Sequence, residues 1–276
     1  MENESITPLP DRQQEHGVDE KTLRTLYLDL IKHCILGLII EDAPTARFKS
    51  FKVWNMRLWR GKYDRELREK GEDWPSQAHS MIGLERMNNI QHCVEQVIAD
   101  GVPGDLIETG VWRGGATIFM RALLKAHGVT DRNVWVADSF QGLPTPNVRK
   151  YPWDFGLYFS KFKTLAVSAD EVRSNFERYG LLDDQVRFLE GWFRDTLPTA
   201  PIDKLAVLRL DGDLYESTMD ALVNLYPKLS VGGYAIIDDY VIPACAKAVK
   251  DYRKEHGVTA EIVPIDNGAS YWRKEA

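Results

Sequence analysis

Two acidic clusters close two apolar runs. Asp211-Gly212-Asp213 follows Leu205-Ala206-Val207-Leu208-Arg209-Leu210, and Asp238-Asp239 follows Ala235-Ile236-Ile237. Short β-rich apolar runs read as buried strands, so four carboxylates are delivered at two strand ends. Held close together they repel one another unless something positive lies among them, and a divalent cation bound through oxygen is the simplest candidate. One such cluster alone would equally suit a solvated loop. Two of them, downstream of a ligand-binding turn, point to a metal-dependent active site.

That turn is Asp105-Leu106-Ile107-Glu108-Thr109-Gly110-Val111-Trp112-Arg113-Gly114-Gly115-Ala116, a strand, a glycine turn and a helix start. Glycines there let a ligand approach the backbone at a helix N-terminus. The spacing is Gly-x-x-x-Gly-Gly rather than Gly-x-Gly-x-x-Gly, and Glu108 stands where a dinucleotide would place its pyrophosphate. A carboxylate opposes a phosphate but suits a cation such as the sulfonium and ammonium groups of S-adenosylmethionine. The next strand ends in Asp138, an acid suited to ribose hydroxyls. The one after ends in Glu190-Gly191-Trp192, with room for the backbone and an aromatic wall for an adenine.

The surrounding pattern must position these ends. Apolar residues at helical spacing (Leu23, Leu26, Tyr27, Leu30, Ile31, Cys34, Leu38) predict a helix over 21–43, and Ile82, Met87, Ile90, Cys93, Val94 and Val97 predict another over 81–100. Residues 1–20 read as a disordered tail and 44–78, rich in Trp and charge, as irregular and partly mobile. From 105 onward, strands at 105–111, 133–138, 186–190, 204–211 and 233–238 alternate with helices at 115–127, 168–179, 217–228 and 240–256. This predicts an α/β fold with a mostly parallel sheet. Two closing runs, 261–265 and 270–273, flank Asp266-Asn267-Gly268 and predict a C-terminal antiparallel strand. The division expected is a tail (1–20), an N-terminal helical extension (21–104) and a single catalytic unit (105–276). Residues 141–167, broken by prolines and crowded with Tyr151, Trp153, Phe155, Tyr158, Phe159 and Phe162, read as a lid beside a strand end.

The motifs Ile107-Glu108-Thr109-Gly110-Val111-Trp112-Arg113-Gly114-Gly115, Ala137-Asp138-Ser139-Phe140-Gln141-Gly142-Leu143-Pro144, Glu190-Gly191-Trp192-Phe193, Leu210-Asp211-Gly212-Asp213-Leu214-Tyr215-Glu216-Ser217-Thr218 and Ile237-Asp238-Asp239-Tyr240 together resemble the macrocin O-methyltransferase family. So do Leu26-Tyr27-Leu28-Asp29-Leu30 and Met81-Ile82-Gly83-Leu84-Glu85-Arg86-Met87. The resemblance runs from about residue 22 to the C-terminus. It implies a class I, Rossmann-like fold and an S-adenosylmethionine- and Mg2+-dependent O-methyltransferase acting on natural products, with a deoxysugar hydroxyl as acceptor. It implies Asp211, Asp238 and Asp239 as metal ligands and Asp213 as general base. It implies Met81, Glu108, Gly110, Gly114, Asp138, Ser139, Gly191 and Trp192 as cofactor contacts, with Thr109, Val111, Arg113 and Gly115 in the same turn. Spacing alone would allow Asp211 and Asp213 to exchange roles. Arg113 either steers the cofactor carboxylate or bridges surface acids; the first is the expectation here. A phenol, catechol, carboxylate or peptide hydroxyl is the alternative acceptor. A nucleotide-dependent oxidoreductase and a non-catalytic binding protein are the competing classes, opposed by Glu108 and by the complete acidic set.

A net charge of -6 makes nucleic acid or an anionic membrane a poor partner. Cys34, Cys93 and Cys245 fit neither a disulfide framework nor a zinc pattern. The N-terminus lacks a signal pattern, and the longest apolar run, 34–40, is too short to span a bilayer. A cytoplasmic protein is expected, with a small-molecule acceptor as partner and the family's homo-oligomeric habit, the 21–43 helix serving as interface. The histidines receive no role.

Overall fold

A computed structural model describes residues 18–47 and 61–276. Most of the expected tail, and Trp54 and Trp59 of the Trp-rich segment, lie outside the described residues. Helix α1 (Glu20–Ile35) starts at Asp19, whose side chain accepts from Thr22 N at 2.9 Å. It stops short of the expected 43, and a turn occupies 36–41. Strand β1 (Pro44–Arg47), helix α2 (Arg65–Glu69) and strand β2 (Asp73–Pro75) follow, with β1 and β2 antiparallel. Regular structure here corrects the expectation of an irregular 44–78 for the described part. Its organiser is Arg68, fully buried, paired with Asp73 and bonded to the carbonyls of Leu36 and Asp42. An amphipathic pattern has no way to announce such a polar hub.

Helix α3 (Gly83–Ala99) buries the face expected of it. Then come β3 (Asp105–Thr109), α4 (Gly115–Ala126), β4 (Val134–Asp138), α5 (Ala169–Arg178), β5 (Val186–Glu190), the short α6 (Phe193–Thr196), β6 (Leu205–Leu210), α7 (Tyr215–Leu225), β7 (Leu229–Ile237), α8 (Pro243–Glu255), β8 (Val263–Pro264) and β9 (Ser270–Arg273). The sheet runs β5-β4-β3-β6-β7-β9-β8. The first five strands in that order are parallel, and β9 pairs antiparallel with both β7 and β8.

Apart from polar residues near their carboxyl ends, such as Glu108 and Arg209, the central strands are apolar on both faces because each face has its own core. Leu106, Val134, Val136 and Val207 pack with α1, α3, α4 and α5; Ile107, Trp135, Ala137 and Leu208 pack with α7 and α8. The chain enters the sheet at β3, moves outward to β5, then crosses back to β6 on the other side of β3. That reversal opens a crevice at the carboxyl ends of β3 and β6, the usual ligand position in such sheets. Cys93 and Cys245 are buried and all three cysteines are free. Among the described residues, no helix is long and apolar enough to cross a membrane.

Candidate active site

The crevice is a cleft lined by Glu108, Gly110, Val111 and Gly115 from the first turn, Asp138 and Ser139 after β4, Trp192 after β5, and Asp211, Asp213, Asp238 and Asp239 after β6 and β7. Met81 lines it from the N-terminal part. Thr109, Arg113, Gly114 and Gly191 shape the same turns without lining the cleft.

The first turn is built tightly. Gly110 adopts φ +89°, and a Cβ there would overlap the carbonyl oxygen of Asp211. The turn after β3 therefore lies directly against the turn after β6, and only glycine fits between them. Gly114, at φ +85°, caps α4 in the left-handed region. Both carboxylate oxygens of Asp138 accept backbone N–H groups, from Val111 at 2.8 Å and Phe140 at 2.7 Å. The acid expected to meet a ribose thus also holds the turns of β3 and β4 together. Arg113 points elsewhere: its guanidinium donates to Ala78 O at 2.9 Å and lies 4.2 Å from the Trp112 ring.

Glu108 is buried, and only one of its oxygens has a partner: Oε1 accepts from Arg209, while Oε2 is buried with none. Burial pushes its pKa up to about 8 against the opposing pull of Arg209. Arg209 is wholly buried one residue before the carboxyl end of β6, where it also donates to Asp211 at 2.9 Å and to Asp238. Arg86, from α3, donates to the other oxygen of Asp238 at 2.6 Å and to Asp266 at 2.7 Å. Asp238 is therefore held between two guanidinium groups.

One carboxylate oxygen each from Asp211, Asp213 and Asp239 lie within 4.8 Å of one another. Asp213 N donates to Asp239 Oδ2 at 2.9 Å. Burial first, and the neighbouring carboxylates second, push Asp211 up to about 6, Asp213 up to about 8 and Asp239 well above the ordinary range. Carboxyl groups buried and crowded in this way are short of a cation, and an all-oxygen set of this kind fits Mg2+. Asp213 sits at φ +57°, a conformation rarely adopted by a residue with a side chain. The unpartnered oxygen of Glu108 likewise fits a donor or cationic group of a methyl donor in the cleft.

The relatives of this chain identify its family. The macrocin-O-methyltransferase (TylF) profile matches residues 24–274. The chain belongs to the macrocin O-methyltransferase family. It is 56% identical over 254 residues to the 8-demethyl-8-(2,3-dimethoxy-alpha-L-rhamnosyl)-tetracenomycin-C 4'-O-methyltransferase of Streptomyces olivaceus, covering 92% of this chain and 94% of that one. It is 53% identical over 254 residues to the mycinamicin III 3''-O-methyltransferase of Micromonospora griseorubida, covering 91% and 97%. Among solved structures, the O-methyltransferase NovP is 53% identical with a TM-score of 0.84, covering 92% of this chain and all of that one. This member of the macrocin O-methyltransferase family is an enzyme of methyl transfer, and its family and fold imply S-adenosylmethionine as donor.

Sequence reasoning missed Arg209, Arg86 and His79. Arg209 carried a signal, a charge inside an otherwise apolar strand. Arg86 lay within a quoted motif, but nothing in its spacing connects α3 to β7. His79 lines the cleft and bonds Tyr179 Oη through Nδ1 at 2.8 Å; an isolated histidine ahead of a helix gives no such hint.

Proposed function

We propose that this methyltransferase acts on a hydroxyl of a deoxysugar carried by a natural product, with S-adenosylmethionine as donor and Mg2+ bound by its acidic cluster. The observation that carries the reading is the convergence of Asp211, Asp213 and Asp239 beside the free oxygen of Glu108 in one cleft. Sugar hydroxyls are the acceptors named for the tetracenomycin relative, which supports the same class here.

Asp211 and Asp239 are the ligands on which the family resemblance and the geometry agree. The resemblance adds Asp238; because both of its oxygens accept from arginines, its part here is to fix the charge and orientation of the ligand shell. When bound, the divalent ion lowers the pKa of an alcohol that is otherwise a poor nucleophile. When bound, S-adenosylmethionine supplies an electrophilic methyl group. Asp213 accepts the hydroxyl proton, a role supported by its place in the cleft beside Asp211 and Asp239. Glu108 and Asp138 orient the donor, and the shared wall at Gly110 fixes the spacing between the donor turn and the acid turn. From the lid side, Leu143, Phe159 and Leu165 line the cleft and exclude water, whereas Trp153 and Phe155 are mostly exposed.

We further place the enzyme in the cytoplasm, consistent with three free thiols. We propose a homo-oligomer, supported by the exposed stripe Leu23, Leu26 and Leu30 on α1; a monomer mass in light scattering would refute it. For the activity, the test is calorimetric titration with S-adenosylmethionine and NAD, with and without Mg2+, then methyl transfer to rhamnosyl glycosides. Asp213→Asn is expected to abolish turnover while donor affinity survives, and EDTA is expected to stop transfer. NAD binding without donor binding, or full turnover after exhaustive chelation, overturns the reading.

A further inference from the structure

Asp154 lies in the middle of the 141–167 segment, on the short 3-10 turn Pro152–Asp154, and is completely buried. Its two oxygens accept the backbone N–H groups of Tyr215, at 2.6 Å, and Glu216, at 3.3 Å. These belong to the first turn of α7, whose own N-cap position is Leu214, a residue with no side chain able to cap. The cap of α7 is therefore supplied from 61 residues away, by the segment that covers the cleft.

The neighbours of Asp154 are held to the same helices. The Tyr151 ring lies 5.8 Å from that of Tyr215, and Lys247 of α8 sits 5.3 Å from the Trp153 ring. At its other end the segment is tied to the donor turn, where Trp112 Nε1 donates to Thr164 O at 2.8 Å. Asp213, two residues before Tyr215, is held at φ +57°. A non-glycine residue in that conformation persists only where its surroundings over-determine it, and the fixed start of α7 is part of those surroundings.

We propose that Asp154 is a positioning residue that couples closure of the 141–167 segment over the acceptor to the setting of the Asp213 turn. With the segment docked, the first turn of α7 is capped and Asp213 is held in place; with it lifted, two N–H groups lose their partners and the turn relaxes. The inference rests on the reading of Asp213 as the base.

The test is hydrogen exchange on the full chain for Asp154→Ala and Asp154→Asn, alongside affinity for S-adenosylhomocysteine. Coupling predicts that exchange rises at least about tenfold in both the 151–163 and the 214–222 peptides of Asp154→Ala, while affinity for S-adenosylhomocysteine changes less than about twofold. Asp154→Asn retains one acceptor and falls between the wild type and Asp154→Ala, and it remains available if the alanine variant does not fold. A loosened 151–163 peptide beside a 214–222 peptide of unchanged protection refutes the coupling. In turnover, coupling predicts a fall in kcat of about tenfold or more at a temperature where both variants are fully folded, since an effect on folding alone would leave kcat intact. Asp213→Asn separates the two claims: if it stays active, the base reading fails while the exchange result still judges Asp154.

Discussion

Replacing Arg209 by methionine removes a fully buried cation of similar length and leaves its three carboxylate partners in place. Swapping a whole buried ion set for apolar groups is often neutral, but deleting one side costs about 3–5 kcal/mol because uncompensated charge stays behind. Here Glu108 has no other partner, whereas Asp238 keeps Arg86. The expected loss is therefore at the lower end, about 3 kcal/mol. At about 2–4 °C per kcal/mol for a chain of this size, the midpoint falls by roughly 6–12 °C. Urea unfolding without added divalent ions, with m checked for constancy, measures it. A double-mutant cycle adds Glu108→Gln, which removes the buried carboxyl that Arg209 partners; the pair is expected to recover at least about 1 kcal/mol of the loss. A loss below about 1 kcal/mol for Arg209→Met, or strict additivity in the cycle, refutes the claim that this arginine neutralises the acidic turns.

Gly110→Ala would place a methyl group on the Asp211 carbonyl in a backbone conformation unfavourable to alanine; a destabilisation of about 3 kcal/mol or more and loss of donor binding in calorimetry are expected. Burial, with Arg178 and Arg113 nearby, depresses the pKa of His79 from 6.5 to about 4. The sign follows from linkage: a histidine neutral in the fold contributes stability fully above pH 6.5 and loses it as pH falls through 4, up to about 3 kcal/mol by shift and less after solvent screening of the partly exposed ring. His79→Gln should therefore flatten the stability–pH curve between 6.5 and 4, and an unchanged slope in denaturant titrations at those pH values contradicts the assignment.

The strand ends were legible in the sequence because a doubly covered parallel sheet demands continuous apolar runs, and Asp138, Asp211 and Asp238 each end or follow such a run. Register and neighbours were not. The protein itself supplies part of the positive charge that four crowded carboxylates need: Arg209 and Arg86 hold Asp238, Arg209 also reaches one oxygen of Asp211, and the cluster Asp211, Asp213 and Asp239 faces the cleft with that guanidinium on one side. Arg209 was visible as a charge among leucines, but only the pairing of β3 with β6 opposite Glu108 gives it meaning. The partner of Arg86 depends on α3 crossing the end of β7, a contact between residues 152 apart in sequence. The regular part of 44–78 hides behind Arg68, which divides its hydrogen bonds between the Asp73 carboxylate and two backbone carbonyls that no residue pattern encodes.

The contact between Gly110 and the backbone of Asp211 has a consequence for how such an enzyme can diversify. The turn after β3 and the turn after β6 share a wall one peptide thick, so on the proposed reading main chain sets the spacing between donor and base. Side chains of the 141–167 segment, apart from Asp154, stand outside that wall. Their replacement can redraw the range of acceptors without retuning the transfer step, and libraries built at Leu143, Phe159 and Leu165 are where new regiochemistry should be sought.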